Sequence, residues 1–367
     1  MAFVHQSTIG SDVIYKEIFD SIDYPISKTE EVHQVMAAID ARDKYVVFEE
    51  FENQEAKKLL HKTLLEFSDC FSQNGEIGTH PEPMKLKLRD NYIGFHDQPY
   101  IMNYNEREKY IEQVTLFQEL GIIEPVPPNT NLPFISTGFL VYGGHKEYSE
   151  DGSSIKGKPR LVVNYQWANL FIERDNYPLP LIDDILMSLN NYTRFLCLDI
   201  VKLFYHMVLE EESSIYTAFH TPLGIMKFKR CPNGINNGPP NLQRRLETSF
   251  RNWMDLKIYI DDLLGGAKGE GPEAEMRLIE LLIDILKVAR HYNIKYKIEK
   301  CFVNMRILEY LGRVTSENGM EVADKHKSVI LKAKIPTGKA QLASFIGLVG
   351  VLCNQVPNLS YLYSTFQ

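Results

Sequence analysis

The sequence predicts an α+β fold, a sheet backed by helices with its chemistry in one groove. Three observations carry this. The elements follow the order β–α–β-hairpin–α–β. The stretch Leu256-Lys257-Ile258-Tyr259-Ile260, Asp261-Asp262, Leu263-Leu264, Gly265-Gly266 reads as a tight strand–turn–strand hairpin with both acids at its tip. The apolar run Phe195-Leu196-Cys197-Leu198 ends in a third acid, Asp199. Asp199 on one strand and Asp261-Asp262 on a neighbouring hairpin can then face one groove.

The elements follow in order. Residues 1–55 are acidic and weakly patterned, with a helix expected over Val32–Ala41. They contain no Asp-Thr-Gly or Asp-Ser-Gly, hence no aspartic-protease signature. Leu60, Leu64 and Phe67 recur at helical spacing within residues 56–72. Residues 74–104 hold several Pro and Gly and read as an extended connector. A helix is expected over residues 106–120, capped by Asn105 with Glu108 as its capping-box partner and ended by Gly121. Phe134–Tyr142 and Arg160–Tyr165 read as the strands of a hairpin that turns at Asp151-Gly152 and carries Lys156, Lys158 and Arg160. Asp183 and Asp184 precede the apolar helix Ile185–Leu189, where aspartates cap and complement the helix dipole. Leu242, Leu246, Phe250 and Trp253 mark another helix, with Pro239 and Pro240 at its entry and Gln243, Arg244 and Arg245 on its polar face. Pro272 opens a long helix to Tyr292, with Met276, Ile279, Ile283 and Leu286 inward and Asn293 as stop. Cys301–Val303 and Leu308–Val314 are β-type runs, and Lys339 to about Cys353 forms a last helix.

Composition bounds the function. The 367 residues suffice for two or three packed subdomains, and 44% hydrophobic with 24% charged residues describes a soluble globular chain. The apolar run Phe345–Cys353 is too short to span a bilayer, and the N-terminus has no secretion signal. An intracellular, cytoplasmic protein without a membrane partner is expected. The five cysteines are scattered, with no Cys-x-x-Cys, which excludes a zinc module or a disulfide framework. The net charge of −8 does not advertise a nucleic-acid binder, but residues 1–60 carry 12 acids against 6 bases and so hold −6 of it. A positive channel needs local charge, and Lys325, Lys327, Lys332, Lys334 and Lys339 lie close together.

Adjacent carboxylates repel and persist ionised only when cations neutralise them. A solvated hairpin tip would by itself explain one Asp-Asp pair. The chemical reading is a pair of Mg²⁺ ions about 3.5–4 Å apart for in-line phosphoryl transfer, with Mn²⁺ as a substitute.

From about Leu64 to Ser360 the sequence resembles the reverse transcriptases of gypsy-type LTR retrotransposons and their retroviral relatives. Gly121-Ile122-Ile123-Glu124-Pro125 is similar to the family's G-I-I-x-P, and Lys158 to Tyr165 to its W-R-x-x-V-D-Y strand. Asn176 to Asp184 matches R-Y-P-L-P-x-I-D-D, and Leu198 to Phe204 resembles L-D-x-x-x-G-[YF]. Thr217 to Gly224, Pro232 to Gln243, Leu311-Gly312 and Ser344 to Leu348 with Pro357-Asn358 are family-like at the right spacing.

The resemblance implies a right-hand polymerase fold of fingers, palm and thumb, the palm an antiparallel sheet backed by helices. It implies DNA synthesis from dNTPs on an RNA or DNA template with a primer. It makes Asp199, Asp261 and Asp262 the catalytic metal ligands. Phe204 falls at the sugar gate that excludes a 2′-hydroxyl. Arg160 and Lys158 would meet the incoming nucleotide, with Asn233 and Gln243 also in the nucleotide site. The chain divides into an acidic segment 1–55, a helix and connector 56–104, interleaved fingers and palm 105–320, and the start of a thumb or connection 321–367. No RNase H domain, protease, integrase or zinc knuckle is seen, so a Pol polyprotein fragment is expected, acting within a virus-like particle if the element is intact. Dimerisation and polyprotein neighbours are its further expected contacts. Departures include Leu203 for a glycine, Asn164 and Gln166 for Asp and Arg, and Val351 to Gln355 for Tyr-Tyr-Arg-Arg-Phe. They define the alternative reading, a decayed or domesticated nucleic-acid-binding remnant.

Overall fold

The computed structural model describes residues 47–350, apart from 74, 143–146, 149–153, 156–158, 190, 251–252, 311–312, 317–318 and 323. The expectations for Val32–Ala41, Asp151-Gly152, Lys156, Lys158, Leu311-Gly312 and the segment from Val351 onward lie outside the described residues.

The chain begins with β1 (Val47–Phe48), α1 (Gln54–Glu66), β2 (Phe95–His96), α2 (Tyr104–Glu119) and β3 (Ile123–Pro125). It continues through β4 (Phe134–Tyr142), β5 (Glu147–Tyr148), β6 (Ser154–Ile155), β7 (Pro159–Val163), α3 (Gln166–Phe171) and α4 (Ile182–Met187). Then come β8 (Tyr192–Asp199), α5 (Glu211–Ser214), β9 (Phe219–Thr221), β10 (Gly224–Phe228), α6 (Gly238–Phe250), β11 (Leu256–Tyr259) and β12 (Asp262–Lys268). Last are α7 (Gly271–His291), β13 (Phe302–Met305), β14 (Ile307–Tyr310), β15 (Arg313–Ser316), β16 (Gly319–Val322), α8 (Asp324–Leu331) and α9 (Lys339–Gly350).

A five-stranded sheet, in the order β1-β13-β8-β12-β11, holds all three aspartates. β8, β11, β12 and β13 are antiparallel neighbours. β8 is buried almost continuously because both of its faces are covered. Leu196, Leu198 and Leu263 enter the larger core with Leu278, Leu282 and Ile285 of α7. Phe195, Cys197 and Leu264 point the other way, to Ile185 and Leu186 of α4 and to Leu308 and Tyr310 of β14. A second sheet, β2-β4-β9-β10-β3 with β7 on β4, forms a separate layer.

Several expectations need correction. α2 is capped by Asn103 and its box partner is Glu106, not Asn105 and Glu108; Asn103 Oδ1 accepts from Glu106 N at 2.9 Å. Both Asn-x-x-Glu pairs fit the motif, and burial of Tyr110 and Val114 fits either start, so periodicity alone left the register open. The inward stripe of α7 is Leu278, Ile279, Leu282, Ile285, Leu286 and Ala289, with Met276 and Ile283 at its border. The stripe also carries a carboxylate, Glu275, which is fully buried. The run Leu308–Val314 is two strands, β14 and β15, paired antiparallel. Asp183 and Asp184 sit in the first turn of α4, two and three positions inside the cap, which falls on Leu181.

The segment 1–55 does not end as a separate unit. β1 pairs parallel with β13 at the sheet's edge, so the palm sheet is antiparallel except there. Glu275 accepts hydrogen bonds from Glu52 N (3.1 Å) and Asn53 N (2.8 Å), and its Oε1 lies 3.7 Å from Arg194 Nε. Arg194, itself buried, also pairs with Glu52 at 3.2 Å. This buried carboxylate pins the start of α1 to the sheet. Buried charge pairs of this kind are strongly destabilising to break.

Candidate active site on the palm sheet

The hairpin turns in two residues, because Tyr259 and Asp262 are cross-strand partners. The tip is therefore Ile260-Asp261, and Asp262 is the first residue of β12. Ile260 has φ +50°, a left-handed value that a β-branched side chain resists. Such strain persists only where the surroundings over-determine it.

The restraint is Gln243 on α6. Its Oε1 accepts from Ile260 N at 2.9 Å, and its Nε2 donates to Ile258 O at 2.8 Å and to Glu247 Oε1 at 2.7 Å. Glu247 also accepts from the Tyr177 hydroxyl. Gln243 is fully buried. The sequence reading put it on a polar, nucleotide-facing surface, whereas its amide is engaged by the hairpin. The signal was present as the i,i+4 pair Gln243/Glu247 bordering the Leu242–Leu246–Phe250 stripe.

Asp262 is the cross-strand partner of Asp199, and Ile200 N donates to Asp261 O at 3.3 Å. The two distant stretches thus meet at the backbone level. Burial raises the Asp199 carboxyl, against the pull of Lys300. Burial pushes Asp262 up to about 6, reinforced by the charges of Asp199 and Asp261. Asp261 stands exposed at the turn, and the partial burial of its carboxyl together with the charge of Asp199 raises it too. Crowded carboxylates with raised pKa values favour a cation among them.

A cation is already at the edge of the group: Lys300 Nζ lies 3.4 Å from Asp199 Oδ1. Nothing in the sequence pattern singled out Lys300. The donors, all carboxylate oxygens, suit a hard divalent ion such as Mg²⁺. Among the described residues, however, no three His, Cys, Asp or Glu side chains stand close enough to hold a metal ion in their present rotamers. The donor chemistry and the strand register fit a metal; the side-chain placement is not yet a formed cage.

Phe204 lies in a short 3₁₀ turn, Leu203–His206, immediately after the aspartate strand. Its ring is half-buried against the start of α6. A Cβ built on Gly238 would lie 3.0 Å from Phe204 Cε1, so a side chain there would require the ring to give by a few tenths of an ångström. Leu203 is buried in the larger core, and the left-handed residue of the segment is Lys202 (φ +44°). The leucine in place of glycine is therefore accommodated without backbone strain. Asn233 is exposed on the loop before α6, and Arg160 is exposed on β7 opposite Val141.

An antiparallel sheet carrying paired carboxylates at a hairpin, backed by helices and flanked by a second sheet, defines a polymerase of the right-hand fold. Solved structures agree on the fold. The chain superimposes on a foamy viral protease–reverse transcriptase in complex with RNA/DNA hybrid with a TM-score of 0.70 at 18% identity, over 85% of this chain and 40% of that one. A foamy viral protease–reverse transcriptase in complex with double-stranded DNA gives 0.72 at 18% identity, over 85% and 52%.

Residues 146–315 match the family model described as reverse transcriptase (RNA-dependent DNA polymerase). The retrovirus-related Pol polyprotein from transposon 412 of Drosophila melanogaster is 30% identical over 289 residues, 76% of this chain. The chain spans 22% of that polyprotein's length. The chain carries a reverse transcriptase domain related to the Pol polyproteins of LTR retrotransposons. Among the described residues no helix is long and apolar enough to cross a membrane.

Proposed function

We propose that this chain is an RNA-directed DNA polymerase that joins dNTPs to a primer 3′-hydroxyl on an RNA or DNA template. The observation that carries the reading is the cross-strand pairing of Asp262 with Asp199, with Asp261 on the adjoining turn. Asp199, Asp261 and Asp262 would hold two Mg²⁺ ions. Once bound, the ions supply activation of the primer hydroxyl and neutralisation of the departing pyrophosphate.

The remaining roles fall to side chains around the aspartates. Phe204, held by Gly238, closes the space a 2′-hydroxyl would need and so selects dNTPs over NTPs by exclusion. Arg160 and Lys158 contact the triphosphate, Arg160 through its planar fork. Asn233 lies on the loop beside the gate and contributes a neutral amide. Gln243 acts through the hairpin rather than on the nucleotide. The RNA/DNA hybrid and double-stranded DNA held by the foamy viral proteins support a primer–template as the partner here.

The test is primer extension. Purified chain with Mg²⁺ is expected to extend oligo(dT) on poly(rA), and Asp261→Asn is expected to abolish extension. No extension by the wild type with Mg²⁺ or Mn²⁺ at any salt concentration overturns the activity. The Lys300–Asp199 ion pair, which engages one of the three carboxylates, favours a second reading, a nucleic-acid-binding domain without catalysis. It expects salt-dependent primer–template binding and no incorporation.

A further inference from the structure

The hydroxyl of Tyr310 is a buried polar group that the fold itself does not use. Tyr310 ends β14 and is fully buried, and its Oη has no hydrogen-bond partner. An unpartnered hydroxyl in a core costs stability, and phenylalanine would fill the same space without that cost.

The surroundings of the hydroxyl point to its use. Tyr310 packs in the smaller core with Cys197 of β8 and Leu264 of β12, and Tyr259 of β11 lies against the same cluster. Cys197 and Leu264 are cross-strand partners, and so are Asp199 and Asp262, two residues along each strand. Side chains two apart on a strand share a face. Asp262 therefore leaves the sheet on the face that Tyr310 covers. Burial holds the Tyr310 hydroxyl far above the ordinary tyrosine pKa, and among the neighbouring groups the charge of Asp262 adds most to this. The hydroxyl is thus a permanent proton donor beside a carboxylate.

The three aspartates differ in their support. Asp199 faces Lys300 Nζ at 3.4 Å. Asp261 stands exposed at the turn. Asp262 is buried, and its carboxylate accepts no hydrogen bond from any described residue. A buried carboxylate without a donor and a buried hydroxyl without an acceptor share one face of the sheet. A carboxylate has two oxygens. When one ligates an ion, a donor to the other fixes the plane of the group, and such outer partners govern metal affinity.

We infer that Tyr310 is a positioning residue for Asp262, its hydroxyl donating to the carboxylate oxygen that a bound metal leaves free. The inference rests on the reading of Asp262 as a metal ligand. The hydroxyl is idle in the empty protein and engaged in the loaded one, so its cost is offset only when the ion is present. Metal binding is thereby tied to the seating of β14 over the aspartate strands.

The test is Tyr310→Phe in the full chain. Mn²⁺ binding is measured without nucleotide or primer, free Mn²⁺ being counted by electron paramagnetic resonance, and melting is followed in EDTA. In EDTA the variant is expected to melt no lower than wild type, because it loses a hydroxyl that has no partner. Its Mn²⁺ affinity is expected to fall about 10- to 100-fold. Asp262→Ala should weaken binding as well, and Tyr310→Phe added to it should cost less than about 2-fold more, because the hydroxyl then has no ligand to position. A packing role alone gives the opposite pattern, a lower melting temperature with unchanged affinity.

Equal Mn²⁺ affinity of Tyr310→Phe and wild type overturns the inference and leaves the polymerase reading standing. A lower melting temperature of the variant in EDTA also overturns it, since the hydroxyl would then have its partner in the empty protein. Absence of Mn²⁺ binding by wild type removes the metal reading and this inference with it. A weakened Mn²⁺ site in Tyr310→Phe, alongside failure of primer extension by wild type, upholds the positioning role and removes the polymerase reading.

Discussion

Replacing Gln243 distinguishes a residue that touches the nucleotide from one that shapes the hairpin. Gln243→Ala removes three hydrogen bonds at a fully buried position and leaves Ile260 N–H and Ile258 C=O without that partner. Each backbone group stripped of its partner in a buried setting costs about 1–3 kcal/mol, so the two together cost the hairpin about 2–6 kcal/mol of local stability. That loss acts where Ile260 is held at φ +50°, and the turn is expected to relax. Asp261 and the start of β12 move with it, and a shift of about 1 Å in a reacting constellation can reduce the rate about 100-fold. The assay is steady-state primer extension with dNTP titration, beside a melting curve. The expected outcome is a fall in kcat of about 100-fold with KM for dNTP changed by less than about 3-fold. Gln243→Glu is expected to be equally damaging, because one of its carboxylate oxygens would face both Ile258 O and Glu247. A raised KM with unchanged kcat would refute the positioning role and restore Gln243 to the nucleotide pocket. So would a melting temperature and kcat both equal to wild type.

Other perturbations follow from the same geometry. His206 accepts from Gly78 N and Lys295 N at 3.2 Å each, and burial pushes its pKa down to about 3. The unfolded chain protonates first, so stability is full above about pH 6.5 and falls as the pH drops towards 3. Denaturant melts are expected to lose about 2 kcal/mol between pH 7 and pH 5, and His206→Gln should flatten that slope; an unchanged slope would count against His206 as its source. Gly266→Ala would place a Cβ 2.7 Å from the Tyr192 ring, and a loss of about 1–3 kcal/mol is expected by thermal melting. Glu275→Leu removes the partner of Glu52 N and Asn53 N and one of the charges beside buried Arg194. About 3 kcal/mol is the expected loss, with protease sensitivity appearing first near α1; a variant as resistant as wild type would show the latch to be idle.

Much of the palm was legible in the sequence because its signals are local. The hairpin, the aspartate strand and the Pro-opened helix each carry their own periodicity and punctuation. The signals that failed are non-local or ambiguous in sign. β1 has only two residues, and no pattern that short identifies an edge strand. Gln243 was polar and was therefore assigned to a surface, although a buried amide that satisfies strained backbone is equally polar. Glu275 shifted the apparent inward stripe of α7 for the same reason. At α2 two overlapping Asn-x-x-Glu pairs competed, and the burial of Tyr110 and Val114 fits both, so the sequence pattern could not select the Asn103–Glu106 box that forms. The pairing of Asp199 with Lys300 joins residues 101 apart, beyond any window of sequence spacing.

The parallel pairing of Val47–Phe48 with β13 has a consequence for handling the protein. These few residues shield the outermost backbone donors and acceptors of the catalytic sheet. A polypeptide trimmed to start at α1 would leave that ribbon edge bare, and bare edges recruit other molecules. Shortened forms should therefore form intermolecular aggregates with rising concentration, and poor solubility in them would reflect a lost margin rather than a misfolded core.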